Sequence, residues 1–489
     1  MLRPRQGGTL TMAFHSSRNM LVALVALIGV TGCASGGGGA PESTVDVEGL
    51  LADARDVEPG ENPRNTDNTR AAEDHLDAAG DADDPAQKRT HYEAALTSAQ
   101  AAIAEDARNP LAYRLAGRAQ LGLGNFQAAG EAFDQSEALR PIYEFENVGI
   151  REQAYIDEYQ KASPFLGTGE YDQAATHLEN ASAIYHGRPE ADITLAQIYA
   201  SQRDHDRALA KIDAVTSFLS SDAMADIDDE MAANWRSQVE SFPLLRAQIL
   251  ADAGRFDEAV QAYGDLVAQN PDDVALQQDL AAILMQADRK DEALEVYNRL
   301  ADRPGLNSDD LSRIGLGFYQ ADQFGPAAEA LGRAVQVSPK DRDAMEWWAR
   351  ALMADSAWAE VPAVAQRWLE LDPNGRQALA ILAQAANVNG DTQLASQTIQ
   401  RIQALEFSVD NLQMRRLETG AEVTGSVTNS SRPQGSQVTL VFTFYNESGA
   451  EIGRKVHTVA LAAQGMSDVF QLDFDSDQFV GGYSYTVGG

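Results

Sequence analysis

Small side chains recur along this chain at intervals of 34 residues, each at the same place in a repeating pattern of apolar and polar positions. The five clearest copies are Ala259, Ala293, Ala327, Val361 and Ala395. A bulky apolar residue follows four positions later in most of them, as Tyr297 follows Ala293 and Leu331 follows Ala327. Residues four apart share one face of an α-helix. A fixed period of this length therefore predicts a stack of helical hairpins.

The same spacing continues toward the N-terminus, but with two interruptions. Two further pairs keep the interval: Ala95 with Ala129, and Ala174 with Ala208. The intervals between these pairs are longer, which predicts insertions near residues 141–158 and 216–241. We predict eight full hairpins from about residue 110 to residue 405 and a looser one before them. Together they form a predicted helical solenoid over residues 66–405.

The repeating units resemble tetratricopeptide repeats (TPRs). The three best copies are Leu195-Ala196 with Tyr199 and Ala208; Leu280-Ala281 with Leu284, Ala293 and Tyr297; and Ile314-Gly315 with Phe318, Ala327, Leu331 and Pro339. One weak unit has Glu158 and Lys161 where the family has apolar residues, and another has Val361 in the alanine position. The resemblance implies an α-helical TPR solenoid that binds protein or peptide partners and performs no catalysis.

After residue 405 the hydrophobic period changes to two. Val438, Leu440, Phe442 and Phe444 alternate with more polar residues, and four further segments, 423–427, 451–459, 466–474 and 483–487, read as strands between turn signals. This pattern predicts a small all-β, Ig-like sandwich over residues 406–489. The absence of a Cys…Trp…Cys signature excludes a true immunoglobulin domain.

Two segments of this region, 425–429 and 442–446, resemble the bacterial FxLYD domain. Phe444 stands where that family has Leu, and Asn446 stands where it has Asp. The family has no known catalytic residues, so the resemblance supports the sandwich fold and adds little about function.

The N-terminus resembles an exported bacterial lipoprotein. An apolar run of ten residues, Leu21–Val30, follows Arg18 and precedes Thr31, Gly32 and Cys33. The run is too short to span a bilayer, which favours an export signal. Small residues directly before a lone cysteine resemble a lipobox. The resemblance implies that residues 1–32 are a signal peptide and that Cys33 receives a lipid.

The residues around the predicted lipidation site suggest where the chain is held. Residues 33–65 begin with the lipidated cysteine and continue as a flexible acidic linker rich in glycine and proline. In that family, Ala34 instead of Asp after Cys33 implies sorting to the outer membrane, and we expect the chain to face the periplasm. An ordinary signal peptide with an incidental cysteine is the alternative.

The formal net charge of −35 limits the possible partners. Nucleic acids and anionic lipid headgroups are repelled by such a surface, so a membrane is a partner only through the lipid anchor. The seven histidines form no His-Glu-x-x-His pair, and no nucleophile elbow or phosphate-binding loop is present. The segment 473–477 begins like an EF-hand loop but lacks its glycine and its closing glutamate. We predict no catalytic residue, metal site or cofactor.

The TPR resemblance also implies a binding surface, because the first helix of each hairpin lines the inner face in that family. The predicted partner-binding residues are Gln248, Gln278, Met285, Ser312, Leu316, Tyr319, Glu346, Arg350, Met353, Gln384 and Asn387. Tyr319 and Arg350 are the predicted hot spots, since aromatic and arginine side chains dominate interfaces. The set lacks the paired Lys and Asn with which some relatives clamp a terminal carboxylate. We expect an extended or helical partner segment.

The predicted function is that of a non-enzymatic scaffold for protein–protein interaction at the outer membrane. Three alternatives stay open: a regulator or cofactor of cell-wall or envelope-assembly enzymes, an enzyme with an unrecognised site, and a spacer rod whose inner face is merely solvated.

Overall fold

The computed structural model describes residues 57–417 and 419–488. The predicted signal peptide (residues 1–32), Cys33 and the linker up to residue 56 lie outside the described residues. The chain divides into two compact units, Met1–Arg255 and Phe256–Gly489.

The first unit contains four packed helical hairpins followed by an inserted segment and one more helix. Its helices are α1 (Asp67–Asp81), α2 (Pro85–Glu105), α3 (Pro110–Gly122), α4 (Phe126–Leu139), α5 (Ile142–Thr168), α6 (Tyr171–Ile184), α7 (Glu190–Gln202), α8 (His205–Leu219), α9 (Asp229–Gln238) and α10 (Phe242–Asp252). Helices α1 to α8 pack as consecutive pairs.

The second unit begins with helices and ends with strands. Its helices are α11 (Phe256–Gln269), α12 (Val274–Gln286), α13 (Lys290–Ala301), α14 (Ser308–Gln320), α15 (Phe324–Val337), α16 (Arg342–Ala354), α17 (Val361–Leu371), α18 (Arg376–Val388) and α19 (Thr392–Ala404). Helices α12 to α19 pack as four hairpins, whereas α11 is the first helix after the boundary between the units. The predicted fold class, helical repeats followed by a β domain, is confirmed.

Polar residues mark where several of these helices begin. The Asp84 side chain accepts hydrogen bonds from the backbone of Ala86 and Gln87 at the start of α2, and Asn109 does the same for Leu111 at the start of α3. In both cases a proline follows the capping residue, where its fixed backbone angle and missing N–H cost nothing. The turns between helices are thus encoded locally.

The repeated small positions lie in the contacts between helices. Ala259, Ala293, Ala327 and Val361 are completely buried, and Ala395 is nearly so. Small side chains at these positions let neighbouring helices approach closely, and bulky residues fill the space that remains.

The two predicted insertions differ in structure. Near residues 141–158 the chain continues as the 27-residue helix α5, so the extra residues lengthen the first helix of a hairpin. Residues 216–241 instead form the end of α8, a 3₁₀ turn (Asp222–Asp226) and α9. Trp235 is buried there with Met224 and Ala232 in a hydrophobic cluster separate from the cores of the hairpins.

The C-terminal region forms two three-stranded antiparallel sheets. The strands are β1 (Phe407–Leu417), β2 (Gly420–Asn429), β3 (Gln437–Tyr445), β4 (Glu451–Ala460), β5 (Ser467–Phe474) and β6 (Gly482–Gly488). The orders are β1-β2-β5 and β4-β3-β6. The alternation predicted for β3 is observed, since Val438, Leu440, Phe442 and Phe444 are all buried in the core between the sheets.

Strand β1 is the one strand that alternation did not predict. Its register with β2 shifts between Asp410 and Gln413, and Asn411 between them adopts a positive φ of 54°. This bulge interrupts the alternation of buried and exposed residues. The strand therefore lacks the regular alternation from which the other strands were predicted.

Candidate partner-binding site

Ten of the eleven predicted binding residues lie on the first helices of the four hairpins of the second unit. Gln248 is on α10, in the first unit, and the other ten belong to the second unit. Those ten are Gln278 and Met285 on α12; Ser312, Leu316 and Tyr319 on α14; Glu346, Arg350 and Met353 on α16; and Gln384 and Asn387 on α18. Their positions on first helices agree with the spacing from which they were predicted.

Four of these side chains line one cavity between α14, α16 and α18. The cavity has a volume of about 470 Å³, within the range of ligand and peptide pockets. Its lining residues are Tyr319, Arg350, Met353, Ala354, Trp358, Gln377, Ala380, Ile381 and Gln384. None of these described lining residues is acidic, although the chain carries a net charge of −35. We call this feature the α14–α18 cavity.

Arg350 is the charged residue of the cavity wall, and neighbouring side chains hold it in place. Its Nε and Nη2 donate hydrogen bonds to Glu346 Oε1 at 3.1 and 2.8 Å. Its guanidinium group lies 5.4 Å from the ring centroid of Trp347, a cation–π contact. The side chain is 30% exposed, so it remains accessible from the cavity.

Tyr319 is held by two aromatic neighbours. Its ring centroid lies 5.3 Å from that of Phe324 and 5.5 Å from that of Trp347, and both contacts are edge-to-face. The ring is half-buried and lines the cavity with its remaining surface. Little side-chain freedom is therefore left to lose when a partner binds.

Glu346 is largely buried, and its carboxylate holds Arg350 in place. Its side chain is only 15% exposed. One carboxylate oxygen accepts from Arg350, and the other accepts from Arg342 Nη1 at 2.6 Å. The structure thus places this predicted contact residue between two arginines.

Arg342 in turn connects the helices to the sandwich. Its buried guanidinium donates to the Leu412 carbonyl of β1 at 3.0 Å and to Asp372 Oδ2 at 3.2 Å. The Tyr485 hydroxyl donates to Asp372 Oδ1 at 2.7 Å. Burial raises the pKa of the Asp372 carboxyl even though Arg342 lies beside it. Hydrogen bonds therefore run from the cavity wall to strand β1.

Six predicted residues of the second unit lie outside the cavity lining: Gln278, Met285, Ser312, Leu316, Glu346 and Asn387. Gln278 is 2% exposed, and its amide nitrogen donates to the Asp310 carbonyl at 3.2 Å. Gln278 Oε1 and Ser312 Oγ are buried without a hydrogen-bond partner among the described residues. Gln278 is therefore packed between α12 and α14, where no partner could contact it without a rearrangement.

Trp358, Gln377 and Ile381 line the cavity but were not predicted. Trp358 lies in the turn between α16 and α17, outside the first-helix positions on which the prediction rested. A tryptophan in a turn whose other residues are small or polar is a sequence signal that could have identified it. Gln377 and Ile381 lie one turn before Ala380 and Gln384 on α18, so a wider selection of that helix face would have included them.

Across residues 57–417 and 419–488, no three His, Cys, Asp or Glu side chains are grouped so that they could hold a metal ion. Within the same residues, no helix combines the length and apolar composition that crossing a bilayer requires.

Comparison with protein families identifies the helical units. Residues 84–141, 159–223 and 313–376 match one tetratricopeptide repeat model, and residues 250–306 match another. No curated protein matches the chain. The matched segments show that this is a TPR-repeat protein, which confirms the resemblance inferred for the helical region.

Solved TPR structures resemble parts of the chain at low identity. The C-terminal part of a TPR protein from Cytophaga hutchinsonii is 16% identical over 51% of this chain and 95% of that chain, with a TM-score of 0.39. MamA from Desulfovibrio magneticus is 18% identical over 34% of this chain and 94% of its own, with a TM-score of 0.30. A TPR protein from Parabacteroides merdae is 16% identical over 58% and 99%, with a TM-score of 0.24.

Proposed function

We propose that this protein is a non-enzymatic scaffold that binds a segment of a partner protein in the α14–α18 cavity. TPR domains bind protein or peptide partners and are generally not catalytic. The observation that carries the proposal is that Tyr319, Arg350, Met353 and Gln384, chosen from repeat positions alone, line one cavity.

The cavity favours an extended or helical segment that inserts an apolar side chain. Tyr319, Met353 and Ile381 supply apolar walls, while Gln377 and Gln384 can each donate and accept hydrogen bonds. Arg350 donates to an acceptor on the partner. A rigid aromatic ring beside a positioned arginine is the composition of an interface hot spot.

The test begins with affinity capture of the tagged chain from cell membranes and identification of the captured proteins by mass spectrometry. Tyr319→Ala with Arg350→Ala should weaken capture of the partner at least tenfold, about 1.4 kcal/mol. The matched control is Arg289→Ala at the start of α13, which also removes an arginine paired with a nearby glutamate but does not belong to the cavity lining. Capture should be unchanged in that variant.

A photo-crosslinking amino acid at Gln384 tests the location directly. Gln384 is exposed and lines the cavity, so the adduct should contain the same partner that is captured.

Undiminished capture by the double variant, with helical circular dichroism unchanged, would contradict the assignment of the cavity. The identity of the partner then decides whether the scaffold regulates cell-wall or envelope-assembly enzymes.

We further propose that a lipid on Cys33 holds the protein at the outer membrane, facing the periplasm. The apolar run Leu21–Val30 and the small residues before Cys33 support this proposal. Cys33→Ala should leave the chain soluble or unprocessed when cell fractions are separated. A mature-size Cys33→Ala chain that still sediments with membranes would show that the anchor lies elsewhere.

A further inference from the structure

The β-sandwich contacts the N-terminal end of each of the three helices that form the α14–α18 cavity. One hydrogen bond from a backbone N–H makes this contact at each helix: Ser308 to Glu447 Oε1 at 3.3 Å for α14, Met414 to Asp343 Oδ2 at 2.7 Å for α16, and Asn374, just before α18, to the Tyr485 hydroxyl at 3.0 Å. In a stack of helical repeats, each repeat normally contacts only its neighbours. The sandwich therefore adds a constraint across three successive hairpins that the repeats themselves do not supply.

Arg416 of β1 connects two of these helices directly. Its Nη1 donates to Asp309 Oδ1 of α14 at 2.9 Å, and its Nη2 donates to Asp341 Oδ2 at 2.8 Å. Asp341 caps α16, because its side chain also accepts from the backbone of Ala344. The Nε of Arg416 donates to the Val480 carbonyl at 2.9 Å, which holds the guanidinium in place. This rigid, planar group thus fixes the distance between the starts of α14 and α16.

The other ends of the same two helices form part of the cavity wall. Tyr319 lies near the end of α14, and its ring centroid is 5.5 Å from that of Trp347 on α16. The Arg350 guanidinium lies 5.4 Å from the same tryptophan ring. Direct contact between α14 and α16 is much smaller than the contact within each hairpin. A change in the spacing of the two helices would therefore alter the arrangement of Tyr319 and Arg350.

A second connection runs from the sandwich to the cavity through buried side chains. The Leu412 carbonyl of β1 accepts from Arg342 Nη1, which also donates to Glu346 at 2.6 Å. Glu346 in turn accepts from Nε and Nη2 of Arg350. Arg342 is 3% exposed and the Glu346 side chain is 15% exposed, so little water reaches this connection. The position of β1 is thus linked to the position of the arginine in the cavity.

We propose that the sandwich positions the partner-binding residues of the cavity. Arg416 sets the spacing of α14 and α16, and through it the arrangement of Tyr319 and Arg350. It is a positioning residue that does not contact the partner. The consequence for binding rests on the proposed function, but the geometry of the cavity can be measured without any partner.

Fluorine NMR of the full chain labelled with 5-fluorotryptophan measures that geometry. The chain has five tryptophans, and Trp347→Phe identifies the resonance of Trp347. Arg416→Gln should shift this resonance, because the groups that surround the Trp347 ring change their positions. Arg415→Gln is the matched control, since Arg415 is the preceding residue of β1 and pairs with Glu422 inside the sandwich at 3.0 Å. It should leave the resonance in place.

A milder variant guards against unfolding. Arg416→Gln leaves the carboxylate of Asp341, which is 4% exposed, without its arginine. Asp309→Asn instead removes a carboxylate that is 44% exposed, and Arg416 keeps its bond to Asp341. It should shift the Trp347 resonance in the same direction as Arg416→Gln. The two substitutions together should add little to the shift from Arg416→Gln alone, because both break the same connection.

Partner capture by the same variants measures the consequence for binding. Arg416→Gln should weaken capture about three- to tenfold, the range expected when a coupled residue outside the contact surface is changed. Arg416→Lys keeps the charge but not the planar fork, so it should recover part of the loss. Arg415→Gln should capture as much partner as the parent chain. Urea unfolding shows which variants remain folded.

An unmoved Trp347 resonance in folded Arg416→Gln and Asp309→Asn would overturn the proposal. Weakened capture with that unmoved resonance would mean that Arg416 contacts the partner itself. A shifted resonance with unchanged capture would overturn the claim that the sandwich affects binding. Tyr319→Ala with Arg350→Ala separates the two proposals: if capture survives that pair, the proposed function fails, and the resonance alone decides whether the sandwich positions the cavity.

Discussion

Glu158 shows at the residue scale how the repeat accommodates a charge at an apolar position. Its side chain is 3% exposed. Lys161 Nζ donates to it at 2.6 Å, Asn180 Nδ2 donates at 3.0 Å, and His177 Nδ1 lies 2.8 Å away. Burial raises the pKa of Glu158, but these three neighbours outweigh burial and hold its pKa below the usual 4.5. The substituted position is thus stabilised by partners instead of apolar contacts.

The first prediction concerns the pH dependence of this site. Because the folded pKa of Glu158 is lowered, its contribution to stability is present above about pH 4.5 and is lost as the pH falls through the folded pKa. Glu158→Gln should lower the free energy of unfolding at pH 7 by about 1–3 kcal/mol, because Lys161, Asn180 and His177 lose a buried, charged acceptor. Urea unfolding at several pH values measures this.

Glu93→Gln is the control for that measurement. Glu93 pairs with Arg89 on the surface of α2, where such pairs contribute at most about 0.5 kcal/mol. The difference between Glu158→Gln and the parent should shrink below about pH 4.5, as the parent carboxylate becomes protonated. A difference that stays constant down to acid pH would mean that the charge of Glu158 does not stabilise the fold.

At the scale of elements, the substitution of alanine for glycine should have opposite effects at two helical positions. A Cβ on Gly317 of α14 would collide with the Tyr297 ring, whereas a Cβ on Gly264 of α11 would meet nothing within 4 Å. Alanine favours a helix over glycine by about 1 kcal/mol at either position. Overpacking costs about 1–3 kcal/mol, so Gly317→Ala should destabilise by up to about 2 kcal/mol net.

Gly264→Ala should instead stabilise the protein by up to about 1 kcal/mol. Thermal and urea unfolding of the two variants under identical conditions provide the comparison. Equal effects of the two substitutions would contradict close packing of α13 against α14 at Tyr297. Helical circular dichroism should be unchanged in both variants.

The helices were predictable because each repeat encodes its own hairpin. Caps such as Asp84 and Asn109, and small residues such as Ala293, act within one unit or between neighbours. Strand β1 was not predictable in the same way, because the bulge around Asn411 interrupts its alternation. Most elements could therefore be predicted from short-range sequence signals. The exception is β1, where the backbone departs from regular strand geometry.

The candidate site was only partly predictable for a related reason. The 34-residue period places Arg350 and Gln384 at one repeat position and Tyr319 and Met353 at another, and the structure brings all four to one cavity. The period says nothing about Trp358, which comes from a connecting turn, or about Gln278, which packs between two helices. Both depend on how neighbouring repeats meet, which a single sequence does not record.

At the scale of the second unit, the helices and the sandwich are joined by a buried ionic network that no local pattern reveals. Arg342 lies 70 residues before Leu412, whose carbonyl accepts its hydrogen bond. Tyr483 donates to Asp343 Oδ1 at 3.1 Å, and Arg416 of β1 binds Asp341 at 2.8 Å. These contacts join residues distant in sequence, so they follow from the tertiary fold alone.

This network leads to a prediction about the stability of the second unit. Arg342 is 3% exposed, and it neutralises Asp343, Glu346 and Asp372. Arg342→Met keeps an apolar side chain over Trp368 but leaves buried carboxylates without their partner. It should lower the free energy of unfolding by about 3–5 kcal/mol, followed by tryptophan fluorescence in urea.

Adding Asp372→Asn to Arg342→Met should recover part of that loss. The second substitution removes the buried charge that the first leaves unpaired, while Asn can still accept the hydrogen bond from the Tyr485 hydroxyl. Arg415→Met, which removes an exposed arginine paired with Glu422, should leave stability nearly unchanged. If the double variant is less stable than Arg342→Met alone, the unpaired carboxylate is not what destabilises it, and Arg342 acts through its hydrogen bond to Leu412 and its packing on Trp368.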